Sequence, residues 1–336
     1  MARKISMKQA INEALDQEMT RDPSVIMMGE DIVGGAGADG EKDAWGGVLG
    51  VTKGLYAKHG DRLLDTPLSE SAYIGAAIGA AACGMRPVAE LMFIDFMGVC
   101  FDQNFNHAAK FRYMFGGKAV TPVVVRTMWG AGLRAAAQHS QSLLSVFTHI
   151  PGLKVVAPSS PRDVIGLLAA AVRDPDPVIF FEHKSLYATK GEVPDGEIVD
   201  TLGTAKIVRP GKDATILALA LMVPRALAAA EKLKTEHGID CEVVDVRSLV
   251  PLDTQTILGS VARTHRLFTV EENPRLCGWG AEIVSIVADE AFYDLDGPPV
   301  RITTPHIPLP AADILEDIAL PTADRIVERV KKSMQS

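Results

Sequence analysis

Hydrophobic and polar positions along the 336-residue chain alternate between two periods. Short apolar runs rich in β-branched residues are the kind buried on both faces of a parallel sheet. They predict strands at Val25–Met28, Pro87–Met92, Thr121–Arg126, Lys154–Ala157 and Val178–Phe181. Between them lies helical spacing. Ile11, Leu15 and Met19 recur behind Ser6, a good helix cap, and further helices are predicted over Phe96–Met114 and Pro161–Val172. A polar, turn-rich stretch follows, SLYATKGEVPDGE and then Pro210-Gly211. The alternation then resumes, with strands predicted at Ala214–Ala220, Cys241–Val246, Leu267–Val270 and Val300–Thr303. Helices are predicted at Val223–His237, Thr254–Thr264, Ala281–Phe292 and Ala323–Met334. Strands and helices in this alternation imply parallel sheets covered on both faces. The expected organisation is two α/β domains, residues 1–190 and 213–336, joined by a linker at 191–212.

One stretch breaks the pattern. From Asp65 to Glu90 the chain reads DTPLSESAYIGAAIGAAACGMRPVAE, a helix made almost wholly of Gly and Ala with Glu70 at its head. Ser69 or Ser71 is the expected cap. So thin a helix lets other backbones approach closely. A carboxylate partly shielded there acquires a shifted pKa, the mark of a functional group. A plain surface carboxylate is also favoured at that place, by the helix dipole.

Composition narrows the function. Net charge is -8 and no basic run occurs, which argues against nucleic acid. The N-terminus, MARKISMKQAINEAL, has no apolar signal core. The most apolar run, Ile74–Cys83, is about half the ~20 residues of a membrane span. A soluble, cytoplasmic protein is expected. The four cysteines form no metal-ligand spacing, which suits a reducing compartment. No GxGxxG follows a strand and no GxSxG elbow occurs, which removes the usual dinucleotide fold and the α/β-hydrolases. The glycine-rich stretch at 34–47 lacks a following GKS or GKT, so it is not a Walker loop, and a flexible surface loop is expected there. DG occurs at Asp39, Asp195 and Asp296, never with Gly in front, so the GDG loop that carries Mg²⁺ and a diphosphate in thiamine enzymes is missing.

Other candidates come in pairs of readings. His139, in RAAAQHSQS, follows a predicted strand, where α/β sheets place ligands, and can move protons near neutral pH. A hydrogen-bonded loop histidine fits equally. Met92 and Phe96 can stack on a heteroaromatic ring or be core. Asp174 and Asp176, in RDPDP, can support a cation or form an ordinary turn. His107, His149 and His183 are weaker candidates, each compatible with a structural role.

Read in order, DTPLSE with its helix, GMRPVAELMF, AAKFRYMFGG, QHSQS, HIPGLKVVAPSSP, RDPDPVIFFEHKSLY, EVVDVRSLVPLD and VEENPR resemble the β subunits of thiamine-diphosphate-dependent 2-oxoacid dehydrogenase complexes. That family includes the pyruvate, branched-chain 2-oxoacid and acetoin dehydrogenases. The resemblance covers essentially the whole chain. The N-terminus, the long loop AGADGEKDAWGGVLGVTKGLY and AAKFRYMFGGKAVTP look most like the acetoin branch. It implies a transketolase-like architecture, a pyrimidine-binding domain followed by a transketolase C-terminal-type domain. It also implies two α and two β chains, with the α chain holding the diphosphate and Mg²⁺, a β–β contact, and a lipoyl-bearing acyltransferase core as partner.

Carried over residue by residue, Glu70 matches the glutamate that hydrogen-bonds the aminopyrimidine of thiamine diphosphate. Phe96 and Met92 match the walls beside that ring, and His139 an active-site histidine. Val123, Ala171, Val172, Asp174 and Asp176 match a potassium site built largely from carbonyls. Three positions depart. Val99 stands where pyruvate-type relatives carry Gln, His107 replaces a frequent Gln, and Leu221-Met222 replaces a glycine-containing turn. The implied activity is C–C cleavage of acetoin, or decarboxylation of pyruvate or a branched-chain 2-oxoacid, with transfer of the two-carbon or acyl unit to a lipoyl group. The alternative is a non-catalytic scaffold subunit. The small-residue helix is expected to pack closely at a subunit contact.

Overall fold

The computed structural model describes residues 3–34 and 45–335. Most of the glycine-rich loop expected at 34–47 thus lies outside the described residues. The chain forms two compact units. The first runs through Trp129 and resumes at Val146–Leu202, and the second joins Gly130–Ser145 to the chain from Gly203 onward.

Six strands of the first unit make a parallel sheet. They are β1 (Val25–Glu30), β2 (Leu63–Thr66), β3 (Arg86–Phe93), β4 (Val124–Trp129), β5 (Lys154–Val156) and β6 (Val178–His183), in the order β5-β6-β4-β3-β1-β2. β4 and β6 are buried along their whole length, their apolar residues together with the polar Arg126, Thr127, Glu182 and His183. Helix α1 (Met7–Arg21) begins with a capping box. Ser6 Oγ accepts from the Gln9 amide at 3.2 Å, and the Gln9 side chain accepts from the Ser6 amide at 2.9 Å. Its Ala10, Ile11, Ala14 and Leu15 stripe packs against helix α3 (Pro161–Arg173). Helix α2 (Glu70–Ala82) lies against β3 and the turn Gln103–Ala108.

The single helix expected over Phe96–Met114 is instead three short pieces: a 3₁₀ turn Ile94–Gly98, a π-helical turn Gln103–Ala108, and Phe111–Met114. The cause is local. The buried Asn104 side chain donates to the Cys100 carbonyl at 3.0 Å, competing with the backbone ladder and opening it.

The second unit has a five-stranded sheet of β7 (Lys206–Arg209), β8 (Ala214–Ala218), β9 (Cys241–Asp245), β10 (Leu267–Pro274) and β11 (Val300–Thr304), in the order β11-β10-β8-β9-β7. Only β7 is antiparallel to its neighbour. Helices Met222–His237 and Ala323–Met334 pack on it through Val223, Ala226, Ala230, Ile326 and Val330. Before Leu221-Met222 the turn is made by Ala220 at φ 48°, where a glycine would be unstrained. β10 runs four residues past the predicted Val270, because its polar end is buried and paired. Arg301 donates twice to Glu271, at 2.8 Å each, and the Gly280 amide donates to Glu271 at 3.1 Å. A helix at Asp313–Ala319 has no counterpart in the sequence pattern.

Candidate functional site

β2, β1 and β3 are neighbours, so their carboxyl ends form one edge of the first sheet. Ligands bind at such edges in parallel α/β sheets. Glu70 stands there as the first residue of α2, just past β2. Ser69 holds the N-cap place, but its hydroxyl makes no capping bond. The Ser71 hydroxyl donates instead to the Val99 carbonyl at 2.5 Å. Neither serine hydroxyl therefore shields the amides at the helix start, contrary to the expected side-chain cap. Glu70 is half-buried at the positive end of the helix dipole.

The charge on Glu70 is felt around it. Burial, Asp31 and Glu70 together push the Glu30 carboxyl upward. Burial and then Glu70 raise the Tyr73 phenol, and the Cys100 thiol is pushed up to about 12. Glu30 closes β1 on the same edge and belongs to the site. Sequence reading passed over it. Its only signal was an acid ending a predicted strand.

Met92 sits where the pairing of β3 with β4 slips between Leu91 and Phe93. Such bulges re-aim a side chain and recur beside active sites. Phe93 and Phe96 follow with ring centroids 5.7 Å apart and planes at 77°. Met92, Phe93 and Phe96 are all half-buried, so the first unit brings Glu70, Met92 and Phe96 to one sheet edge with apolar surface still to cover. A carboxyl able to share a proton, beside an apolar wall, fits the aminopyrimidine half of thiamine diphosphate.

Behind β3 lies a buried ionic cluster that the sequence did not disclose. Arg126 donates to both Glu182 oxygens at 2.7 and 2.8 Å and to Glu90 at 2.8 Å. The Tyr187 hydroxyl donates to Glu182 at 2.6 Å. Burial, only partly opposed by Arg126, raises the Glu90 carboxyl, and burial with Glu182 raises the Tyr187 phenol.

His139 belongs to the second unit, on the loop Gly130–Ser145, and is half-buried. His183 is fully buried. Its Nδ1 accepts from the Ser185 amide at 3.3 Å, and its ring meets Trp129 edge-on at 4.8 Å. His149 and His107 are exposed, the latter 3.8 Å from Asp102.

The five residues matched to a cation site gather in one corner of the first unit, where the Thr121 amide donates to the Pro175 carbonyl at 3.2 Å. The Val172 and Asp174 carbonyls converge on one nitrogen of Arg86, at 2.8 and 3.2 Å. The Val123 carbonyl accepts from the Val178 amide at 2.9 Å, and that of Ala171 from the Asp174 amide at 3.3 Å. The Asp174 carboxylate takes Lys154 at 2.6 and 2.7 Å, and Asp176 pairs with Arg112. Protein cations already serve this corner. Among the described residues no group of three or more His, Cys, Asp or Glu side chains could hold a metal ion.

Comparison with known proteins shows the family of the chain. Residues 3–190 match the family described as transketolase, pyrimidine binding domain, and residues 203–326 that described as transketolase, C-terminal domain. The chain is 66% identical over 335 residues to the beta subunit of acetoin:2,6-dichlorophenolindophenol oxidoreductase of Cupriavidus necator, covering 100% of this chain and 99% of that one. It is 56% identical to the subunit of the same name from Bacillus subtilis, covering 97% and 96%. It is 43% identical to the pyruvate dehydrogenase E1 component subunit beta of Rickettsia felis, covering 98% of each. A solved structure titled as the inactive beta4 tetramer of a split-gene transketolase superposes with a TM-score of 0.78 at 23% identity over 98% of each chain, a likeness of fold.

Proposed function

The chain belongs to the β subunits of thiamine-diphosphate-dependent acetoin and 2-oxoacid dehydrogenases, and from that premise we propose that it cleaves acetoin together with an α chain. The observation that carries the reading is Glu70 on the same sheet edge as Met92 and Phe96. When bound, thiamine diphosphate supplies the nucleophilic carbon that breaks the C–C bond. Glu70 holds a proton against a ring nitrogen of the pyrimidine, while Phe96 and Met92 cover the ring and keep water from it. His139 exchanges a proton with the reacting group. Acetoin is favoured over pyruvate by the 66% identity to the acetoin relative against 43% to the pyruvate one.

In this reading the α chain holds the diphosphate and Mg²⁺, two α and two β chains assemble in the cytoplasm, and the two-carbon unit passes to a lipoyl group on an acyltransferase core. Exposed Val99, Tyr113, Met114 and Phe115 offer the first unit an apolar surface for a partner. A β–β contact is proposed at the bare face of α2, where a Cβ on Gly79 would meet nothing within 4 Å and one on Gly75 only Gln103. Among the described residues no helix is long and apolar enough to cross a membrane.

The test is co-expression with the α chain, followed by dichlorophenolindophenol reduction with acetoin, pyruvate and 2-oxoisovalerate in parallel. Acetoin should give the highest kcat/KM. A preference for either oxoacid reassigns the substrate. Tight binding of thiamine diphosphate by the β chain alone contradicts a divided site. A potassium ion is proposed to join Arg86 at the carbonyl corner. The assembled enzyme should then melt at a higher temperature in potassium chloride than in choline chloride, and equal melting points remove the ion from the reading.

A further inference from the structure

The loop Gly130–Ser145 follows β4 in sequence, yet it packs as part of the second unit. Its backbone is costly. Gly130 (φ 81°), Gly132 (φ 113°), Arg134 (φ 54°) and Ala136 (φ 59°) alternate through the left-handed region. Glycine tolerates that conformation, but in Arg and Ala the Cβ crowds the following carbonyl oxygen. Strain of this kind persists only where the surroundings over-determine it, and it gathers at functional sites.

Two carboxylates supply the restraint. The Ala131 amide donates to Glu272 Oε1 at 2.6 Å, and the Gly132 amide to Glu316 Oε1 at 3.2 Å. The Arg134 guanidinium pairs with the other Glu316 oxygen, with Asp317 at 2.9 Å and with Asp313 at 3.2 Å, and it donates to the Asp313 carbonyl at 3.1 Å. Glu316 is fully buried, whereas Ile314, Leu315 and Ile318 of the same short helix are exposed. The helix Asp313–Ala319 thus reverses ordinary amphipathicity. It turns a carboxylate inward and its large apolar residues outward. Burying a carboxylate is unfavourable unless it is paired and hydrogen-bonded. Here its bonding partners are the loop amide and Arg134. Glu272 does the same from β10, between Glu271 and Asn273, both held in hydrogen bonds of their own.

We propose that Glu316, supported by Glu272, is a positioning residue for His139. It fixes the strained loop so that the imidazole is presented in one orientation. The proposal rests on the reading of His139 as a proton-handling group.

The test is a double-mutant cycle in the assembled α–β enzyme, with Glu316→Gln, Glu316→Ala, Glu272→Gln and His139→Ala. Misplacing a reacting group by an ångström costs on the order of 10²-fold. Glu316→Ala is expected to approach that loss in kcat, and Glu316→Gln to lose less, because the amide oxygen still accepts from Gly132. Glu272→Gln should move kcat in the same direction by a smaller factor. Half-saturation by thiamine diphosphate should not change. In a His139→Ala background the Glu316 variants should cause no further loss. Wild-type kcat in Glu316→Gln and Glu316→Ala, or full multiplication of the losses in the double variant, overturns the proposal. If His139→Ala alone is fully active, the reading of His139 fails and takes the proposal with it. If only the cycle multiplies, that reading stands and the positioning role falls. Should Glu316→Ala not assemble, Glu316→Gln and Glu272→Gln carry the same comparison.

Discussion

Glu70→Ala, assembled with its α chain, is expected to lose about 10²- to 10⁴-fold in kcat, the range associated with a lost acid–base group. Glu70→Gln should lose nearly as much, because an amide keeps the shape but cannot share a proton with a ring nitrogen. The complex should remain folded. Glu70 is half-buried at a helix start, so its removal forfeits a dipole interaction worth about 0.3–1 kcal/mol. Its neighbours provide an internal check. Glu70 helps to raise the Cys100 thiol and the Glu30 carboxyl, so both should titrate lower in the variant. Near-normal turnover of either variant would make the chain a scaffold whose chemistry lies elsewhere. That is the second reading the sequence leaves open, and it predicts no special sensitivity at this position.

The sequence was legible where one physical signal dominated. The helices Thr254–Thr264 and Ala323–Met334 have the ends expected of them, and in the structure Asp253 and Thr322 cap them ahead of an apolar stripe. The buried strands were found from β-branched runs, although β4 begins at Val124 rather than Thr121, since residues 121–123 serve the turn to Pro175. Periodicity failed where polar groups are buried. Glu271, Glu272 and Asn273 continue β10 although they read as a strand end, and Glu316 hides inside a helix whose apolar residues face outward. Those pairings join residues far apart in sequence, such as Gly132 with Glu316, and no local pattern records them. At the site, the residue types of Glu70, Met92 and Phe96 were readable. The bulge that turns Met92 was not, since it depends on the register of two strands. Arg126 looked like the end of an apolar run, and its two carboxylate partners lie 36 and 56 residues away.

Arg126→Met should be the most destabilising single change in the first unit. The guanidinium is fully buried and answers the buried Glu182 and the half-buried Glu90, with Tyr187 completing the cluster. Removing the cation from such an arrangement costs about 3–5 kcal/mol, because it leaves charge buried without compensation. The pH dependence follows from Glu90, whose folded carboxyl already lies above the ordinary carboxylate value. A carboxyl raised by folding binds its proton more tightly in the folded state. Its contribution to stability is complete below the unfolded pKa and is lost as pH rises through the folded one. Without Arg126, which holds it down, Glu90 moves further up. The deficit of the variant against the native chain should therefore be smallest at the acid end and grow toward alkaline pH. Melting temperatures of the assembled enzyme across that range check the direction. A second variant separates charge from packing. Arg126→Met combined with Glu182→Leu replaces the closest pair with apolar volume, and such exchanges are often neutral or better. It should recover much of the loss, leaving Glu90 to titrate toward the neutral acid. If the double variant is as unstable as the single, the cluster acts through shape rather than charge. An Arg126→Met chain that melts like the native one at alkaline pH would show that water, not Arg126, answers these carboxylates.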